Sequence, residues 1–261
     1  AYVYFSERIR HVSTTSGSDY PVENILLEIF GVLKEDFAVV EIILDEHDDS
    51  QEIFNSLNAL AKPLSQSDLL RSFIFMRAEK EKKDRDRLYE VYWKRFEDNF
   101  WDQQIRRGNI WSSQLDVLTR IFLSSRLGQP VDTRKVHLEY KNWIKHTSPF
   151  ASVEEELRAF SRYGDRYRCL LQPPDNERFS AFADRLRIWD VSTAYPLIIY
   201  LFEESGLDES QLVEAFEDLE SFIVRRLVCG KDNKEYNKYF LEIVSKLRED
   251  GPSPDMLRRT L

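Results

Sequence analysis

Glycine, proline, cysteine and histidine are all scarce in this chain of 261 residues, which holds 8 Gly, 9 Pro, 2 Cys and 4 His. So few glycines and prolines argue against a loop-rich or all-β fold. The cysteines, Cys169 and Cys229, form no CxxC pair. That excludes a disulfide framework and fits a reducing compartment, so a cytoplasmic protein is expected. None of His11, His47, His137 and His146 lies in an HExxH or beside a cysteine at metal-binding spacing, and no metal site is read. A P-loop, a GxGxxG turn and a nucleophile elbow are also missing, so no catalytic residue is assigned. The longest apolar run, about Ala194 to Phe202, falls far short of a membrane span. The first residues lack the pattern of a secretory leader.

Aromatic residues make up 13% of the chain, enough ring surface for a substantial core. The 46 acidic residues outnumber the 37 basic ones, for a net charge of −9. A protein that coats nucleic acid over its whole surface would be basic, so only local basic faces remain open.

Helical periodicity dominates the pattern. Residues 1–10 read as the end of a helix and His11 to Tyr20 as a loop. Ile25, Leu26, Ile29, Phe30 and Leu33 give the 3.6-residue period of a second helix. Phe37 to Leu44 is β-branched and reads as a strand, closed by Asp45, Glu46, Asp48 and Asp49. Helices follow at about 51–59 and 66–78, separated by Pro63, with Ser65 and Asp68 as a capping box. The charged stretch Arg77 to Arg87 reads as an exposed helix or a link, and beyond it every pattern is helical. Leu88, Tyr92 and Phe96 repeat at four, and Ser152 with Glu155 forms another capping box. Leu212, Phe216, Leu219, Ile223 and Leu227 end at Gly230 as a C′ residue. Tyr236, Phe240, Ile243 and Leu247 form a further helix, and Gly251 to Pro254 reads as a linker. The expected fold is therefore mainly α, with a small α+β part at 1–80, a helical domain at 81–250 and a tail at 251–261. One strand makes no sheet, so its partners lie upstream of Ala1 or within residues 1–36.

Residues 37–77 resemble the end of the ParB-like amino-terminal domain of GmrSD-type modification-dependent restriction endonucleases, a family that includes the phosphorothioate-sensing Ssp proteins. The family segment "IFxxLNxxGKPLSxxDLxR" is matched by Ile53, Phe54, Leu57, Asn58, Lys62, Pro63, Leu64, Ser65, Asp68, Leu69 and Arg71. Ala61 stands where the family has Gly, which is costly if that position needs a positive φ. Leu88 to Phe96 is similar to the family's "LYxxYW" helix. Phe222 to Gly230 with Asn237, Lys238 and Phe240 is similar to its "RRxxCG…NKxF" segment. The "DGQQR" nucleotide motif and the HNH nuclease residues are not in this sequence. The resemblance thus implies a piece of a longer protein that does not itself cleave DNA. In the intact protein it implies a nucleoside triphosphate, a divalent metal and modified DNA as ligands, with no membrane partner and a homo-oligomer open.

Two groups of residues follow from that resemblance. Asn58, Lys62, Ser65, Asp68 and Arg71 are implied to face a nucleotide or phosphate, with the helix opening at Gln66 adding its positive dipole end. The alternative is ordinary capping, with Ser65 and Asp68 satisfying backbone N–H groups. Arg225, Arg226, Lys231, Lys234 and Lys238 are candidate DNA contacts. Their alternative is a set of cations offsetting a helix C-terminus. The acidic turn at 45–49 reads as solvated rather than metal-binding, and Lys80, Lys82, Lys83, Arg85 and Arg87 alternate with acids as in an ion-paired face.

Overall fold

A computed structural model of the protein describes residues 2–15, 22–38, 64–107, 110–173, 178–231 and 235–261. The predicted strand at Phe37 to Leu44, save its first two residues, lies outside them. So do the acidic turn, the 51–59 helix, Asn58, Lys62 and Lys234. The chain divides into two compact units, Ala1–Phe54 and Asn55–Leu261.

In the first unit, α1 (Tyr2–Thr15) packs against α2 (Val22–Glu35). The predicted loop from His11 is still helix as far as Thr15, since Ser and Thr disfavour a helix interior only mildly. Because these two helices fill most of residues 1–36, no second strand stands among the described residues there. Ile25 is buried, whereas Leu26, Phe30 and Leu33 of the same apolar period are exposed.

The second unit is mainly α. Its elements are α3 (Gln66–Lys80), α4 (Arg85–Leu88), α5 (Asn99–Asp102), β1 (Gln104–Arg107), β2 (Ile110–Ser113), α6 (Gln114–Leu127), α7 (Val136–Thr147), α8 (Val153–Leu171), α9 (Arg178–Ile188), α10 (Tyr195–Glu203), α11 (Glu209–Val228), α12 (Tyr236–Asp250) and α13 (Pro254–Thr260). Helices α6, α8 and α10 pack on one another at the centre. On one side α3 and α7 lie against α6 and α8, and on the other α12 lies against α6 and α10. One continuous core of buried side chains runs through all of them.

Four features depart from the sequence expectation. First, α3 belongs to the second unit rather than to a domain ending at residue 80. It buries Leu69, Leu70, Phe73, Ile74, Phe75 and Ala78, too many sides for a surface helix at a boundary. Second, β1 and β2 form an antiparallel hairpin in the predicted all-helical region, with Arg107 opposite Ile110. Third, residues 89–97 are not a regular helix. A π turn at Tyr89–Trp93 precedes a 3₁₀ turn at Lys94–Glu97. A π turn holds one more residue than an α turn, so Trp93 rather than Tyr92 joins Leu88 and Phe96 in the core. Fourth, the expected linker ends in a helix. Ser253 caps α13 by accepting from Met256 N at 3.1 Å, Pro254 opens it, and Leu257 is fully buried. The Tyr239 hydroxyl donates to the carbonyls of Thr260 and Leu261 at 2.8 and 3.0 Å.

The charged stretch after α3 is a turn. Lys82 takes φ 54°, and the N–H groups of Lys82 and Lys83 return to the carbonyls of Glu79 and Ala78, both at 2.9 Å. That is a Schellman closure made without glycine. The same closure with Gly230 at φ 64° ends α11, as its sequence predicts.

Rings fill the centre. Trp93 stacks on Phe160 at 5.7 Å, and Phe96 meets Phe160 edge-on at 5.2 Å. Gly164 on α8 makes room for the Phe96 ring, whose Cε1 would lie 2.5 Å from an added Cβ. Trp93, Trp101 and Phe160 hem that ring in. Gly164→Ala is therefore expected to be a net loss in urea unfolding. Overpacking costs about 1–3 kcal/mol, and better helix propensity returns at most about 1 kcal/mol.

Candidate functional site

Three described residues of the first implied group, Ser65, Asp68 and Arg71, lie on α3 or just before it. Ser65 accepts from Asp68 N at 3.1 Å, and Asp68 Oδ2 accepts from Ser65 N at 3.3 Å and from its hydroxyl at 2.7 Å. Ser67 N donates to Asp116 Oδ1 of α6 at 2.8 Å. The first N–H groups of α3 thus spend themselves on protein oxygens, as the capping alternative requires. Next to them, Gln66 Oε1 lies 3.1 Å from both His137 N and its Nδ1. Burial, and then the charge of Lys141, hold the His137 imidazole below its ordinary pKa.

Arg71 stands one turn further on. Its guanidinium pairs with Glu97 at 3.2 Å and lies over the Tyr89 ring at 5.3 Å. The Tyr89 hydroxyl, bonded to Glu97, is raised above the ordinary tyrosine range. Arg71, Ser72, Phe75, Met76, Glu79 and Arg85 line a hollow of about 200 Å³. An anion entering it meets two guanidinium groups, but it must displace Glu97 to take both arms of Arg71.

The second group gathers where α11 ends and α12 begins. Arg225 Nε donates back to Ser221 O at 3.2 Å, and its head is exposed. Lys231 is exposed just past Gly230, and Lys238 Nζ reaches Glu242 at 3.4 Å while staying largely in solvent. Arg226 behaves differently. It lies over the rings of Phe222 and Tyr236 at 5.6 and 5.1 Å, so its contacts are internal. Val224, Leu227 and Val228 are exposed on the same stretch, Val228 by 82%. The structure thus brings together Arg225, Lys231 and exposed valines at a helix C-terminus, where cations are also favoured by the dipole.

Comparison with protein-family models, with curated proteins and with solved structures gives no match. Among the described residues no group of His, Cys, Asp or Glu is placed to hold a metal ion. Nor is any helix among them long and apolar enough to cross a membrane.

Two buried polar networks escaped the sequence. Glu156 on α8 has no exposed surface. It accepts from the Tyr140 hydroxyl at 2.6 Å and pairs with Arg77, whose other arm reaches Glu81 at 3.5 Å. Glu81 in turn accepts from Val153 N at 3.0 Å, so α3, α7 and α8 are tied at one point. Burial pushes the Glu156 carboxyl above its ordinary pKa, against the opposing pull of Arg77. The second network centres on Glu204, which holds Arg126 at 3.1 Å, Arg248 at 2.9 Å and the Tyr163 hydroxyl. Both networks join helices and leave their charged groups paired. Neither opens a space for a substrate.

Proposed function

We propose that this chain is a segment of a modification-dependent DNA restriction endonuclease of the GmrSD type, acting in phage defence in the cytoplasm. In the intact protein, the ParB-like part senses a nucleotide or modified DNA. The helical unit relays that state to an HNH module, which hydrolyses the phosphodiester with a divalent metal. Three matched segments in the family's order support this reading. The observation that carries it is the exposed basic end of α11, where Arg225 and Lys231 stand free of carboxylate ion pairs among the described residues. It falls on the segment that resembles "RRxxCG". The turn at Asn58 and Lys62, with Ser65, Asp68 and Arg71, is the nucleotide-facing part of the same proposal.

The test is fluorescence anisotropy of a labelled duplex across a salt series. Replacing Arg225 and Lys231 together by Glu is expected to weaken binding. It should also lower the slope of log affinity against log salt by about 2, near 0.9 for each phosphate contact. An unchanged slope would overturn the DNA-binding assignment of this end.

A second reading, a non-catalytic helical scaffold, draws on a specific observation. Most surface arginines are already paired, as in Arg71 with Glu97, Arg95 with Asp165, Arg168 with Asp98 and Arg258 with Asp218. For a scaffold, the same titration shows no duplex binding by the unaltered chain.

A further inference from the structure

A crevice on the helical unit takes no part in the function proposed above. It runs between α6, the 131–133 loop, the 3₁₀ turn Ser192–Ala194 and the first turn of α12. Arg120 of α6 lines both of its hollows, one of about 110 Å³ and one of about 50 Å³. The polar lining of the larger is Arg120, Ser124, Ser192, Thr193 and Asn237, and its apolar wall is Ile121, Val131 and Pro196. No carboxylate borders it, in a protein of net charge −9.

Ser124 is the informative residue. It is only 5% exposed, and its hydroxyl makes no hydrogen bond to protein among the described residues. Its neighbours on α6 do not share that state. Thr119 donates to Leu115 O at 2.8 Å, and Ser125 donates to Pro196 O at 3.2 Å. A buried hydroxyl with no protein partner, on the wall of a hollow, calls for a partner inside it. The other groups fix the kind of partner. Arg120 offers a planar fork of donors that matches two oxygens of a phosphate. Three hydroxyls and the Asn237 amide add neutral donors. The hollow exceeds several times the roughly 30 Å³ share of one water.

We propose that the larger hollow binds a terminal phosphate group. Arg120 takes two of its oxygens, and Ser124, Ser192, Thr193 and Asn237 donate to the others. Inorganic phosphate, a 5′-mononucleotide and a 5′-phosphorylated strand end all present this group. A phosphodiester inside a strand, with a sugar on each side, is too bulky for this volume.

Calorimetric titration of the whole chain with inorganic phosphate, with 5′-AMP and with a 5′-phosphorylated oligonucleotide tests the site. Binding of at least one of these is expected, and the tightest identifies the source. Arg120→Gln should weaken it about tenfold or more, Thr193→Ala should weaken it less, and Arg120→Lys should retain part of it. Far-UV circular dichroism establishes that each variant is folded, and Thr193, on a short surface turn, keeps the test open should Arg120→Gln unfold. No binding by the unaltered chain, or equal binding by Arg120→Gln and Thr193→Ala, overturns the proposal. The Arg225 and Lys231 double variant should bind phosphate normally, so this site and the DNA-binding end fail separately.

Discussion

Replacing Glu156 with leucine is expected to destabilise the helical unit by about 3–5 kcal/mol, the usual cost of removing one member of a buried ion pair. Leucine fits the space but leaves Arg77 and the Tyr140 hydroxyl without their acceptor, and both face a core that water does not reach. All five tryptophans lie in the second unit, so their fluorescence in urea reports that unit's unfolding alone. Glu156→Gln keeps an acceptor for Tyr140 and should lose less. A second signature separates the charge from the shape. Burial raises the native pKa of Glu156 above its unfolded value. The native state therefore holds this proton more tightly, and the group's favourable contribution is full below the unfolded pKa near 4.5. It is lost as pH rises through the higher native value. The stability gap between the unaltered protein and Glu156→Gln should accordingly widen on acidification through that window. A gap constant with pH, or a leucine variant as stable as the original, would show that the pair contributes nothing.

Truncating Phe160 to alanine should cost a similar amount, about 3–5 kcal/mol, for a different reason. Phe160 has no exposed surface and is the ring on which the others converge. It stacks on Trp93 and meets Phe96 and Phe122 edge-on at 5.2 and 5.3 Å. Removing it opens a cavity whose walls are rigid rings that cannot collapse into it, so both the transfer and the cavity terms are felt. The near-UV circular dichroism of Trp93 should also diminish, because its stacking partner has gone. Phe160→Leu, closer in volume, should lose less than about 1.5 kcal/mol. A Phe160→Ala variant that unfolds at the original urea midpoint would contradict this account of the core.

Where the sequence spoke through local chemistry, the fold was legible. Ser65 with Asp68 opens α3 as a capping box. Ser152 caps α8, although Glu155 reaches back to Ala151 N at 2.9 Å rather than to the cap residue itself. Gly230 closes α11, and the stripe Tyr236, Phe240, Ile243 and Leu247 is buried. The hairpin was harder to see, because its strands are four residues each and alternate weakly. Its one signal was Gly108-Asn109, a pair favoured in two-residue connections. In α13, the words that read as linker, Ser253-Pro254-Asp255, are also those of a helix start.

The sites were less legible, because their pairings are long-range. Arg71 finds Glu97, Glu156 finds Arg77, and Arg120 shares a hollow with Asn237. Capping and periodicity do not reach across such separations. Glu156 alone left a trace. It falls on the apolar stripe of α8 beside Val153, Leu157, Phe160 and Tyr163, where a carboxylate has no reason to be unless something meets it.

The wide turn at Tyr89–Trp93 has a bearing on how this chain is compared with others. Each residue in an α-helix advances the side-chain direction by about 100°. A homologue one residue shorter at this point would run as ordinary helix and turn the position matching Tyr92 inward. An alignment that slides through without a gap would then set an interior ring against a half-exposed one, and every match upstream or downstream would be misjudged by one position. Searches anchored separately on the α3 segment and on α8 avoid that slip.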